Sequence, residues 1–172
     1  MTKETLVNKV AQSGLTTLDL EKLLDNTDWT YLDIKGFLVK EMLLMEKPFR
    51  AALKTFDWQP FHGKWVAIYC SADALIPYWA YMLLTAYLQE AGARVFYANG
   101  DKKRDEKLLL KRLIQDLNPE KYSNERVIVK GCGHLELDAS FYVMITEKLT
   151  PHIKSLMYGE PCSTVPVYKR KK

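Results

Sequence analysis

The sequence predicts an α/β fold: a three-layer sandwich around a mainly parallel sheet, with an N-terminal α+β side layer. Three observations lead there. Trp65-Val66-Ala67-Ile68-Tyr69-Cys70 is a short, near-continuous apolar run, as a strand buried on both faces requires. Ile76, Trp79, Ala80, Leu83, Leu84, Tyr87 and Leu88 then recur at helical spacing. The same strand-then-helix alternation repeats twice more with short connections, which implies parallel strands joined by right-handed crossovers.

Each element has its own local reason. Leu6, Val7 and Val10 predict a short opening helix that stops at Gly14. Leu15, Leu18 and Leu20, then Trp29, Tyr31, Leu32 and Ile34, predict two short strands around the turn Asp25-Asn26-Thr27-Asp28. From Ile34 to Met45 the apolar spacing turns helical, and Pro48 suits the first turn of another helix running to about Phe56. Asp73 offers an N-cap and Pro77 a first-turn residue for the helix that Gly92 ends. Arg94-Val95-Phe96-Tyr97-Ala98 is the second core strand, with Asn99-Gly100-Asp101 as turn and cap. Leu110, Leu113, Ile114 and Leu117 form the stripe of the next helix, which ends before Pro119. Arg126-Val127-Ile128-Val129-Lys130 is the third strand. A last helix is expected from about Asp138 to Tyr158, broken near Pro151 and closed by Gly159. The chain reads as one domain over residues 1–172: a capping layer (1–60), a βαβαβα core (61–160), and a C-terminal segment with a basic tail (161–172).

Size and charge exclude several function classes. The 172 residues, 48% of them hydrophobic and 27% charged, suit one soluble globular domain. No apolar run approaches the roughly 18 residues of a membrane span. Met1-Thr2-Lys3-Glu4-Thr5 lacks the apolar region of a signal peptide, so a cytoplasmic location is expected. The formal net charge is +4, and Lys169-Arg170-Lys171-Lys172 account for all of it. The body therefore lacks the basic field that nucleic acid demands. The tail itself reads as a solvated, frayed terminus.

The three cysteines carry the candidate chemistry. Cys70 follows the first core strand, Cys132 lies in Gly131-Cys132-Gly133-His134 after the third, and Cys162 lies in Glu160-Pro161-Cys162-Ser163 after the last helix. Parallel strands in one sheet would put Cys70 and Cys132 on the same carboxyl edge, where open α/β folds bind ligands. Thiolates are ligands for zinc, iron and iron–sulfur clusters. Cys70, Cys132 and Cys162 are therefore the expected metal ligands, with Asp73, His134 or Glu160 as fourth ligand or tuning group. Against this stands the reading of three unrelated, semi-buried thiols, since cysteine is often buried. An odd number of cysteines without Cys-x-x-Cys argues against structural disulfides and thioredoxin-type chemistry.

Two other classes remain open. Cys70 before a helix N-terminus could be a nucleophile with His134 as its base, in a cysteine-dependent enzyme acting on a small molecule. A non-catalytic interaction module is the other, with Tyr78, Tyr81 and Met82, off the main helical stripe, forming a partner or homodimer surface. His62 reads as a surface-turn residue and His152 as a core histidine. Gly131-Cys132-Gly133 lacks the third glycine of the dinucleotide fingerprint. Walker A and Gly-x-Ser-x-Gly motifs are also missing.

Two long stretches carry a family resemblance. Residues 70–83, from Cys70-Ser71-Ala72-Asp73 to Tyr81-Met82-Leu83, and residues 155–171, around Tyr158-Gly159-Glu160-Pro161-Cys162-Ser163, resemble domain-of-unknown-function family 2480, as does Lys130-Gly131-Cys132. The resemblance covers nearly the whole chain but does not extend to His134. It implies a bacterial protein encoded beside the sulfur-mobilisation machinery, hence iron–sulfur assembly proteins as partners and an accessory role. It names no reaction.

Overall fold

A computed structural model describes residues 14–130, 133–160 and 163–171. In chain order these form β1 (Leu15–Leu18), α1 (Leu20–Asp25), β2 (Trp29–Asp33), α2 (Glu46–Thr55), β3 (Trp65–Tyr69) and α3 (Tyr78–Glu90). Then come β4 (Arg94–Tyr97), α4 (Lys102–Asp116), β5 (Arg126–Val129), α5 (Ala139–Leu149), β6 (Ser155–Glu160) and β7 (Ser163–Lys169). The α/β class holds, with open, mainly parallel sheets and helices on both sides. The predicted opening helix lies outside the described residues.

The strands divide between two sheets, in two compact units. Residues 25–109 hold a fully parallel sheet in the order β2-β3-β4. Trp65, Val66, Ala67 and Ile68 are all buried, which explains the continuous apolar run of β3. Ala80, Leu84 and Leu88 of α3 join Phe49 and Leu53 of α2 in this unit's core. Burying each such large side chain stabilises the unit by about 1.5–3 kcal/mol.

The second unit comprises residues up to Leu24 and from Leu110 onward. Its sheet runs β1-β5-β6-β7, with β7 antiparallel. Its core gathers Leu18, Val127 and Leu156 from the sheet with Phe141, Ile145 and Leu149 from α5. Pro166 sits in β7, the edge strand, where a missing backbone donor is tolerated.

Several expectations change. The N-terminal segment supplies more than a side layer, because β1 and β2 are each a parallel member of a sheet. Residues 34–45 form no α-helix. A 3-10 turn at Ile34–Phe37 gives way to a tight turn in which Lys40 and Glu41 both have positive φ and Val39 bridges Leu43. The final helix stops at Leu149, where Pro151 bars a further turn. Residues 155–160 are instead the strand β6, so Cys162 falls between two strands rather than after a helix. The spacing of Ile153 and Leu156, both buried, fits either reading until a neighbouring strand is present.

Candidate functional site

The carboxyl edge of each parallel sheet gathers polar side chains, as topology expects. In the unit that holds β1, β5 and β6, Asp19 directly follows β1, Lys130 directly follows β5 and Glu160 ends β6. Lys130 Nζ lies 3.5 Å from Asp19 Oδ2 and 3.4 Å from Glu160 Oε1. Its backbone N–H also donates to the Leu18 carbonyl, so the first residue past β5 continues the ladder with β1. The hydrogen bond and charge of Glu160, and then the Asp19 carboxylate, raise the Lys130 ammonium above its ordinary pKa. Asp19 further accepts the N–H groups of Glu21 and Lys22 and so caps α1.

Glu21 extends this edge. Its carboxylate accepts the Leu135 N–H and lies against Gly133, where any side chain would collide with it. A small pocket opens here, lined by Asp19, Glu21, Lys130, Gly133, Leu135 and Tyr142 among others. Asp19 and Glu160 flank the one ammonium, and Glu21 adds a third carboxylate to this edge. The edge is locally acidic and suits a cation better than an anion.

Cys132 and Cys162 lie outside the described residues. In sequence each stands two residues beyond a member of the ionic cluster, Lys130 and Glu160 respectively. His134 is exposed, and Glu160 is partly buried against Lys130. Among the described residues, no group of three or more His, Cys, Asp or Glu side chains is arranged to hold a metal ion.

The other edge belongs to residues 25–109. Asp33 at the end of β2 accepts the Ser71 N–H at 3.1 Å, the Ser71 hydroxyl at 2.5 Å and the Lys35 N–H at 2.9 Å. Burial alone would raise this carboxyl; the donors from Ser71, Lys35 and the Tyr69 hydroxyl outweigh it and hold the pKa below the ordinary value. Asp105, in the first turn of α4, is fully buried. It accepts the Asn99 N–H at 3.1 Å, the Gly100 N–H at 2.9 Å and the Tyr31 hydroxyl at 3.0 Å. Every bond ties the β4–α4 turn or β2 to one carboxylate.

Cys70 sits on this second edge, half-buried against the unit's core, with its Sγ 3.6 Å from the Ala72 carbonyl. The strand it follows, β3, and the strand that precedes Cys132 in the sequence, β5, belong to different sheets, so strand topology gives the two cysteines no common edge. Nor does Cys70 adjoin a helix N-terminus: α3 begins only at Tyr78, with Pro77 in an extended conformation as its N-cap. Asp73, expected as the N-cap, is an exposed residue of the intervening loop.

The remaining histidines have structural partners. His62 Nδ1 is 2.9 Å from the Ala91 carbonyl. His152, expected in the core, is 29% exposed and meets Glu120 at 2.9 Å. Sequence reasoning passed over Asp19, Asp33, Lys130 and Asp105. A usable signal was present: Asp19 and Asp33 follow strand-like runs directly, and Asp105 stands four residues before the buried Leu109 on one helical face.

Comparison with known proteins adds one finding. The family described as "Protein of unknown function (DUF2480)" matches residues 4–170. No curated protein and no solved structure matches the chain.

Proposed function

We propose, for a chain that belongs to the DUF2480 family, that it binds a soft or borderline metal, zinc, iron or an iron–sulfur cluster, at the carboxyl edge of β1, β5 and β6. Cys132 and Cys162 are the proposed thiolate ligands. The observation that carries this reading is the 3.4 Å contact between Lys130 and Glu160. It holds together the ends of two adjacent parallel strands, and each cysteine is two residues further along the chain. The surplus of carboxylates favours a cation there, and thiolates select zinc or iron over harder ions.

His134 and Glu160 are the candidates to complete the ligand set on this edge. Cys70 and Asp73 follow a strand of the other sheet and are left out of the proposed set. An iron–sulfur cluster rather than zinc would extend the proposal to a role beside iron–sulfur assembly proteins.

Metal analysis of the full chain, purified and reconstituted without oxygen, tests the reading. Wild type and Cys70→Ser should retain the metal, while Cys132→Ser and Cys162→Ser should lose it. Visible absorption separates a cluster from zinc. A wild-type chain that takes up neither zinc nor iron would refute the proposal.

A further inference from the structure

We infer that the outer face of α3 is a homodimer interface, in which two copies pack their α3 helices antiparallel about Met82. The inference is independent of the metal reading. It begins with exposure: Leu75 and Tyr78 are each 87% exposed, Met82 72% and Tyr97 68%. Tyr97, at the end of β4, joins this face through the α3 residue Tyr81, with ring centroids 5.6 Å apart. Tyr81 itself packs against the unit's core. The exposed side chains thus stand on a rigid base.

Area indicates a protein-sized occupant. At about 200 Å² per large aromatic side chain, the two tyrosines alone expose on the order of 300 Å². With Leu75 and Met82 the patch reaches roughly 600 Å², the top of the range for a monomer's largest apolar patch. Two copies closing over it would bury about 1,200 Å², the lower bound of a specific interface.

Charge and spacing select a second copy. No charged residue occurs between Asp73 and Glu90, so the face has nothing to attract a charged partner. Two copies meeting here bury no ion. Tyr78, Met82 and Ala86 are four residues apart on α3, and both Tyr78 and Ala86 are exposed. They form one i±4 ridge, of the kind that interlocks when helices cross. In an antiparallel pair centred on Met82, Tyr78 of each copy meets Ala86 of the other, large against small. A two-fold interface needs this self-complementarity.

Sedimentation velocity of the full chain across the micromolar range tests the inference, with lipid vesicles as a separate probe. Wild type should sediment as a dimer. Tyr78→Glu and Met82→Glu, both surface changes, should keep the wild-type circular dichroism and weaken the dimer at least about tenfold. Met82→Cys should give a covalent dimer on mild oxidation, well beyond wild type and beyond a Lys103→Cys control on another helix. A monomer at every concentration overturns the inference, whether or not it binds vesicles. A dimer unaffected by both glutamate variants overturns it too.

Discussion

The Tyr31 hydroxyl in β2 donates a 3.0 Å hydrogen bond to Oδ2 of Asp105, the fully buried carboxylate in the first turn of α4. That carboxylate also receives the Asn99 and Gly100 N–H groups. One side chain thereby joins an edge strand of the β2-β3-β4 sheet to the turn that leaves the opposite edge strand. A buried charge persists only when its acceptor capacity is met, and three donors meet it here.

Asp105→Ala leaves those three donors without their acceptor and should destabilise the chain by about 3 kcal/mol or more. Tyr31→Phe removes one bond and should cost about 1 kcal/mol. In the double variant the Tyr31→Phe cost should shrink, because its partner is already gone. Urea unfolding of all four proteins measures this. Strict additivity would show that the pair is uncoupled.

The same bond predicts an alkaline limit. Burial, and then the Asp105 carboxylate, raise the Tyr31 pKa above its ordinary value of about 10. The folded state therefore keeps a proton that the unfolded chain releases. This contribution is complete below pH of about 10 and is lost as pH rises towards the folded value. Wild type should lose stability above that pH more steeply than Tyr31→Phe does.

Asp33 gives the opposite sign. Its folded pKa is depressed, so its contribution is present above the unfolded value of about 3.9 and is lost as pH falls through the folded one. Asp33→Asn should be less stable than wild type at neutral pH, by about 1–2 kcal/mol. The gap should narrow in acid. A gap that stayed constant with pH would assign the loss to packing rather than charge.

Gly100 is where the backbone itself is demanding. Its φ is +85°, and a Cβ there would stand 2.9 Å from the Tyr69 ring. Gly100→Ala combines a disfavoured conformation with a clash, and should cost about 1–3 kcal/mol in thermal or urea unfolding. Tyr69→Ala in the same background should relieve the clash and leave only the backbone cost.

Legibility in the sequence followed the range of the interactions involved. The runs at Trp65–Tyr69, Arg94–Tyr97 and Arg126–Val129 and the stripe of α4 were all readable, because side-chain periodicity is a local property. The Asp101 cap was readable too, and it accepts the Arg104 N–H as a helix start requires. By contrast, Ser155-Leu156-Met157-Tyr158 continues a helical spacing on paper. It becomes a strand only because β5 and β7 lie on either side to take its backbone hydrogen bonds.

The three cysteines show the same division. The sequence alone determined that each follows an apolar element in a turn-like setting, and that Cys132 and Cys162 lie two residues past Lys130 and Glu160. Only the tertiary structure decided that β3 and β5 belong to different sheets, which removes the argument from one shared sheet that linked Cys70 to Cys132. It also decided that β5 and β6 are neighbours, bringing Lys130 within 3.4 Å of Glu160. Strand order is set by pairing between distant segments, and local hydrophobicity carries no record of which partner a buried strand will find.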